Sequence, residues 1–143
     1  MSAELLAIQA HLSTLGVPVH LGDATGSHPP FLVVWGSPGL RDSDESVGGS
    51  CGAFSAPFGV TCTGQDAQAA LDLAALVRDL IWQAQSPTVI PDVAGRHVVV
   101  DLYDARSVQV DRTVTLTTTN THPAYVVLLG DVHSYPIPSE VTP

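Results

Sequence analysis

The sequence predicts a single α+β domain, in which two α-helices pack on one face of a mixed or antiparallel β-sheet. Two segments, residues 3–15 and 65–83, repeat apolar side chains at helical spacing. Six further segments are rich in β-branched and aromatic residues or alternate apolar with polar residues, as strands do. Their order along the chain, α-β-β-loop-β-α-β-β-β, is typical of an antiparallel or mixed sheet. The chain has 143 residues, enough for one domain over 1–134 and a proline-rich tail over 135–143.

The first elements are a helix and two strands. The helix is expected over residues 3–15, and Gly16 supplies its stop. A short alternating strand is expected over residues 17–21, and residues 31–36 ("FLVVWG") predict a buried strand.

A long exposed loop is expected over residues 37–50, which consist mainly of Gly, Ser, Asp and Pro. Loops longer than about 12 residues in a compact domain are usually functional or disordered, so this loop is a candidate contact surface, with a mobile hairpin tip as the alternative. In the next segment, "AFSAPFGVTCTG", alternation predicts a strand that turns Phe58, Val60 and Cys62 inward. Pro57 is expected to keep this strand out of a central position in the sheet.

The second helix has the clearest pattern. Thr63 is expected to cap its N-terminus, with Asp66 as the acidic partner of a capping box, and Pro87 and Pro91 prevent its continuation. The predicted inner face consists of Ala67, Ala70, Leu71, Ala74, Val77 and Ile81, widened by Leu73, Leu76 and Leu80.

The last third of the chain is predicted to be β-structure. Residues 97–104 alternate, residues 107–120 continue in β-branched side chains, and residues 124–131 predict a buried strand. The three prolines of the tail favour an extended or disordered end.

The charge pattern limits the possible partners. The net charge is −9, and the basic residues are five scattered arginines without any lysine. Such a chain lacks the clustered basic stripe that neutralises nucleic-acid phosphates or binds anionic membranes. The absence of lysine also excludes a P-loop.

Two segments suggest catalysis, and both have a simpler interpretation. In "GDVHS", Asp131 and His133 have the D-x-H spacing of metallophosphatases, but only nine residues follow for the further ligands that a two-metal site needs. They are expected to end a strand in solvent. Cys51 could serve as a nucleophile with one of the histidines, although the surrounding glycines are explained by loop geometry. The six histidines show no zinc-binding spacing, so no metal and no cofactor is expected.

The chain resembles the tail terminator proteins of phages with long, non-contractile tails. The resemblance spans "PPFLVVWG", the loop rich in Gly, Ser and Asp, "FGVTCTGQDAQAALDLAALVRDLI" and the late strand "HPAYVVLLG". It implies a non-enzymatic virion protein that assembles as a ring, a hexamer in the lambda-type members. The implied partners are further copies of the chain, the tail tube protein and the head–tail connector or stopper protein, with DNA passing through the lumen. It also implies assembly in the host cytoplasm, followed by residence in the tail or neck of the virion.

The expected contact residues follow from this resemblance and from the predicted loop. They are Pro38, Leu40, Arg41, Asp44 and Val47 in the loop, with Leu40, Arg41 and Asp44 at its tip, together with Arg106 and Arg112.

Three alternatives stay open. Another neck component, such as a head–tail joining or stopper protein, has a similar size and charge. A small metal-dependent or thiol enzyme would use "GDVHS" or Cys51, and a binding domain would need an apolar pocket.

Overall fold

A computed structural model of the chain describes residues 3–23, 28–36, 40–41, 54–81, 88–90 and 96–136. A short 3-10 turn, Ser13–Leu15, extends the first helix. In chain order the elements are α1 (Ala3–Leu12), β1 (Val19–Leu21), β2 (Phe31–Gly36), β3 (Leu40–Arg41), β4 (Phe54–Gly64), α2 (Ala67–Ile81), β5 (Thr88–Ile90), β6 (Arg96–Ala105), β7 (Gln109–Val110) and β8 (Ala124–Pro136).

The strands form one mixed sheet in the order β1-β2-β4-β8-β6-β5. β1 lies parallel to β2, and the remaining pairs are antiparallel. The two shortest strands lie off this path, because β3 pairs with the start of β4 and β7 pairs with the start of β8. This mixed sheet with two helices confirms the predicted α+β fold class.

The hydrophobic core lies between one face of the sheet and both helices. α1 packs against β1 and β2, whereas α2 packs against β4, β8 and β6. The cross-strand pairs place the buried side chains of the four long strands on this same face. The largest of these buried side chains are Leu32, Val34, Phe58, Val60, Val98, Val100 and Val132. Because side chains alternate along a strand, every second residue points to the opposite face.

α2 begins later than predicted. Thr63 belongs to β4, and the helix is capped by Asp66, whose Oδ1 accepts a hydrogen bond of 2.8 Å from the amide of Ala69. The side chain that caps α2 is therefore the one expected at the third position of a capping box. The strand runs into the helix so closely that a Cβ on Gly64 would lie 2.3 Å from the amide nitrogen of Ala70.

The inner face of α2 is also slightly rotated from the prediction. Ala70, Ala74, Val77 and Ile81 are buried as expected. Leu73 is buried with them, whereas Leu71 and Leu76 are 44% and 54% exposed. The apolar arc of this helix is wide, and Leu71 and Leu76 border its polar stripe, so the sequence pattern did not fix which of the leucines face the sheet.

Pro57 lies in a central strand, which contradicts the prediction. β4 is third in the sheet, but its pairing with β2 ends at Phe58 and its pairing with β3 begins at Ser55. Among the described residues, Pro57 has one ladder partner, Asp131 of β8. A residue without an amide hydrogen is tolerated in a strand where one of its sides makes no ladder hydrogen bond.

Two further predictions need correction. Residues 88–90 form a strand within the segment that was expected only to terminate α2. In residues 107–120, by contrast, only Gln109–Val110 is a strand. Threonine-rich composition favoured strands there, but residues 111–123 fold into hydrogen-bonded turns instead.

Candidate functional site

The candidate site is the face of the sheet opposite the two helices, called the open face below. Its side chains alternate with the core residues along β2, β4, β6 and β8, and His20 of β1 pairs with Val33 of β2 on the same face. Most of its side chains are half-buried or exposed. The open face comprises His20, Phe31, Val33, Trp35, Ser55, Pro57, Gly59, Thr61, Thr63, Val99, Asp101, Asp104, Tyr125, Val127, Leu129, Asp131 and His133.

The indole of Trp35 lies against the sheet near the middle of the open face. Its cross-strand partner is Gly59, and a Cβ on Gly59 would lie 2.1 Å from Cζ2 of the indole. The ring therefore covers the glycine, and its Nε1 donates a hydrogen bond of 3.1 Å to Oγ1 of Thr61. The side chain is still 39% exposed. Trp35 is thus an ordered aromatic surface that needs little rearrangement to make a contact.

Apolar side chains continue on both sides of Trp35. Tyr125 is 40% exposed, and Val127 and Leu129 follow it along β8 at half-buried positions. On the other side, Phe31 packs edge-to-face against His20, with ring centroids 5.9 Å apart. This strip is more apolar than one would expect for a sheet face that water covers.

The open face carries an acidic pair part-way along β6 and β8. Asp101 of β6 and Asp131 of β8 lie directly opposite each other in the ladder, and both are half-buried. Like charges in such a cross-strand pair are destabilising by themselves. His133 lies two residues further along β8 and is exposed. Asp131 and His133 therefore lie within a strand and do not end it, contrary to the prediction.

One end of the open face borders an ordered loop over residues 111–123. Oγ1 of Thr121 donates a 2.6 Å hydrogen bond to the carbonyl of Gln65, which anchors the loop to the β4–α2 turn. Within the loop, Asp111 accepts bonds of 2.5 Å from the hydroxyl and 3.0 Å from the amide of Thr113. Those bonds hold the pKa of Asp111 below its usual range, with a smaller contribution from the nearby His122. Arg112 is exposed in this loop.

The predicted contact residues are divided between the two ends of the sheet. Leu40 and Arg41 form β3 and pair with Ser55 and Phe54, so they are not at a loop tip as predicted. Arg112 lies at the opposite end, in the loop anchored beyond the end of β4.

The other predicted contact residues belong neither to β3 nor to the loop over residues 111–123. Arg106 follows β6, where its Nε lies 3.2 Å from Oδ2 of Asp104. Pro38, Asp44 and Val47 fall outside the described residues.

Of the residues proposed for catalysis, the structure describes Asp131 and His133. The cysteine that it describes, Cys62, is buried, and burial raises the pKa of its thiol to about 12, which disfavours the reactive thiolate. Cys51 lies outside the described residues. Within the part of the chain that the structure describes, no three or more His, Cys, Asp or Glu side chains lie close enough together to hold a metal ion.

A small cleft lies beside β6, near the middle of the sheet. It has a volume of about 130 Å³ and is lined by Arg78, Leu102, Tyr103, Asp104, Ala105 and Leu128. This volume is below the roughly 300–1,000 Å³ of typical small-molecule sites.

Sequence reasoning missed the open face, although a signal was present. "FLVVWG" and "AYVVLLG" are apolar at successive positions, which predicts strands buried on both sides. In the described part of the chain, helices cover only one side of these strands.

Comparison with known proteins identifies no relative, since neither a family model nor a curated protein matches the chain. The helices in the described part of the chain include none that is long and apolar enough to cross a bilayer.

Proposed function

We propose that the chain is a structural subunit of a phage tail, a tail terminator whose copies form a ring on the last ring of the tail tube and end its growth. The observation that carries this proposal is the open face, an ordered apolar surface centred on Trp35. Its chemistry suits a protein contact better than catalysis. The resemblance of residues 29–81 and 122–130 to tail terminators supplies the biological setting.

Exposure of its apolar side chains to water is unfavourable, so the open face favours association. Trp35 and Tyr125 are each about 40% exposed within one contiguous strip, and contiguous apolar surface of this kind usually marks a contact. Aromatic side chains are also the residues most often found as binding hot spots.

Growth of a tube is limited by geometry in this proposal. A tube grows by heterologous contacts that repeat along its axis. A terminator binds the last tube ring with one surface and presents a different surface beyond it, so a further tube ring finds no complementary face. The net charge of −9 is compatible with a lumen that does not retain passing DNA.

The proposal is tested in the phage that encodes the chain. We expect deletion of the gene to give tail tubes of uncontrolled length that do not join heads, and expression from a plasmid to restore uniform tails, as measured by electron microscopy. Purified protein should form rings of about 90 kDa if six copies of 14.9 kDa close.

Two results would separate this function from its alternatives. Tails of normal length that fail to join heads would assign the chain to another neck position, such as a stopper. Normal, infectious virions from the deletion strain would refute a structural role in the tail.

A further inference from the structure

The cleft beside β6 lies where the outer side of this strand has no neighbour among the described residues. In that part of the chain, β5 pairs with β6 at residues 98–100, whereas the cleft is lined by residues 102–105 of β6. β8 pairs with these cleft residues, on the inner side of β6. An edge of this kind offers outward N–H and C=O groups to a segment from elsewhere.

The cleft has the size and lining of a site for one apolar side chain. Its volume is about 130 Å³, and an apolar cavity of about 150 Å³ holds a benzene molecule. Leu102, Ala105 and Leu128 supply apolar wall. Tyr103 lines the cleft at the irregularity of β6, with 61% of its surface exposed. An aromatic side chain this exposed is a candidate binding hot spot.

Arg78 adds a positive charge to the lining. Its Nη2 lies 3.0 Å from Oδ1 of the adjacent Asp79, and both side chains are more than half exposed. Such an exposed ion pair contributes little, and a guanidinium has five N–H donors, so Arg78 can bind a further carboxylate. The other charged residue of the lining, Asp104, has its Oδ2 3.2 Å from Nε of Arg106. The cleft therefore suits an apolar side chain next to an acidic residue.

We infer that the cleft binds the proline-rich tail of a neighbouring copy, with Val141 in the cleft and Glu140 against Arg78. The inference rests on the proposed function, because it names the contact between subunits of the ring. Residues 137–143 of the tail lie outside the described part of the chain, and their sequence contains one charged residue, Glu140, directly before Val141. The chain itself thus supplies the acidic and apolar pair that the cleft suits.

Chain length excludes that a copy fills its own cleft with Val141. β8 ends at Pro136, beside the start of β6, and its direction leads away from the cleft. The cleft residue Leu102 pairs with Gly130, which lies six residues before Pro136, a distance of about 20 Å at about 3.4 Å per residue. Val141 lies five residues beyond Pro136 and reaches at most about 18 Å from it. The occupant must therefore come from another copy.

This arrangement permits a closed ring. The tail leaves one end of the β6–β8 pair and the cleft lies towards the other, so each copy can bind one neighbour with its tail and another with its cleft. A contact of this heterologous kind repeats until a ring closes. It leaves the open face uncovered, so that face stays available to the tail tube protein.

The first test exchanges the two charges in the full-length protein. The mass of wild type, Arg78→Glu, Glu140→Arg and the variant with both changes is measured by light scattering over a range of concentrations. Each single change places like charges in the contact, so we expect the midpoint concentration for assembly to rise about tenfold or more. The variant with both changes restores an opposite pair, and its midpoint should return to within about threefold of wild type.

A matched control separates this contact from a general effect of net charge. Arg112 is exposed in the loop over residues 111–123. Arg112→Glu combined with Glu140→Arg has the same net charge as the exchange, but it leaves like charges at Arg78. We expect this combination to assemble as weakly as Glu140→Arg alone. Circular dichroism checks that every variant is folded.

Disulfide trapping locates the contact independently of charge. In a Cys51→Ser background, Tyr103→Cys and Val141→Cys in the same chain should give a ladder of covalent multimers on a denaturing gel after treatment with a mild oxidant. Leu6, which is also exposed but lies on α1, provides the control position. Leu6→Cys combined with Val141→Cys should give no ladder.

Several outcomes would overturn the inference. They are a wild-type protein that stays monomeric, single charge changes that assemble normally, an exchange that stays dissociated, and a disulfide that forms within one chain. None of these outcomes decides the proposed function, which is read from tail length in the phage. Normal tails from a phage that carries Glu140→Arg would refute the contact and leave the terminator function standing.

Discussion

Substitution of Gly130 is the most sensitive test of the packing of the sheet, because backbone atoms fill the space that a side chain at this position would need. A Cβ on Gly130 would lie 2.2 Å from the carbonyl oxygen of Asp101 and 2.9 Å from Cε1 of Phe58. Its backbone has no left-handed φ, so the requirement for glycine is steric. The close approach occurs beside the irregularity in β6 between Leu102 and Asp104, as is common for glycine near a bulge.

The expected cost of Gly130→Ala follows from this geometry. The contact becomes tolerable only if β6 moves away from β8 by about 1 Å, since Cβ contacts below 3.0 Å essentially do not occur. Overpacking of this kind costs about 1–3 kcal/mol, and weakening two ladder hydrogen bonds adds about 1 kcal/mol each. We therefore expect Gly130→Ala to lower the free energy of unfolding by about 3–5 kcal/mol, a large share of the 5–15 kcal/mol typical of a domain.

Urea unfolding followed by circular dichroism measures this difference, and two other strand glycines are its controls. At Gly36 the nearest atom to an added Cβ is 3.1 Å away, so Gly36→Ala should cost about 1 kcal/mol or less. At Gly59 the added Cβ displaces only the indole of Trp35. The hydrogen bond that this indole then loses is worth about 1 kcal/mol, and the loss is partly offset because alanine replaces a glycine within a strand. A Gly130→Ala variant as stable as Gly36→Ala would refute the described packing of β6 on β8.

Three further predictions concern α2 and the core. In a urea titration, Leu73→Ala should lower the free energy of unfolding by about 3 kcal/mol. Leu76→Ala, on the exposed side of the same helix, should change it by less than about 1 kcal/mol. Equal effects of the two substitutions would contradict the observed rotation of the helix. In the same assay, Asp66→Ala should lower the free energy of unfolding by about 1 kcal/mol. Asp66→Asn should lower it much less, because Asn can still accept the hydrogen bond from the amide of Ala69. Equal losses of stability would show that Asp66 does not cap the helix. In a Cys51→Ser background, a thiol reagent at pH 8 should label Cys62 only after urea unfolding. The raised pKa of the Cys62 thiol also predicts that the free energy of unfolding falls as the pH rises from about 9 towards 12. In this range the thiol loses its proton in the unfolded chain and keeps it in the folded chain.

The fold could be predicted largely from local patterns. β2 has the predicted bounds, and the inward positions of Phe58, Val60 and Cys62 are confirmed because period-two alternation fixes which face a residue occupies. The errors arose where tertiary contacts decide the outcome. Pro57 lies between the described pairings of β4 with β2 and with β3, and only the tertiary arrangement of these strands decides that a proline can occupy a central strand there.

The candidate surface could not be predicted in the same way. Trp35 and Gly59 are separated by 23 positions in the sequence, and only the register of β2 and β4 shows that the indole covers the glycine. Asp101 and Asp131 likewise become neighbours only through the pairing of β6 with β8. Single-sequence patterns contain no information about register between distant strands, so sequence alone favours loop residues as contacts.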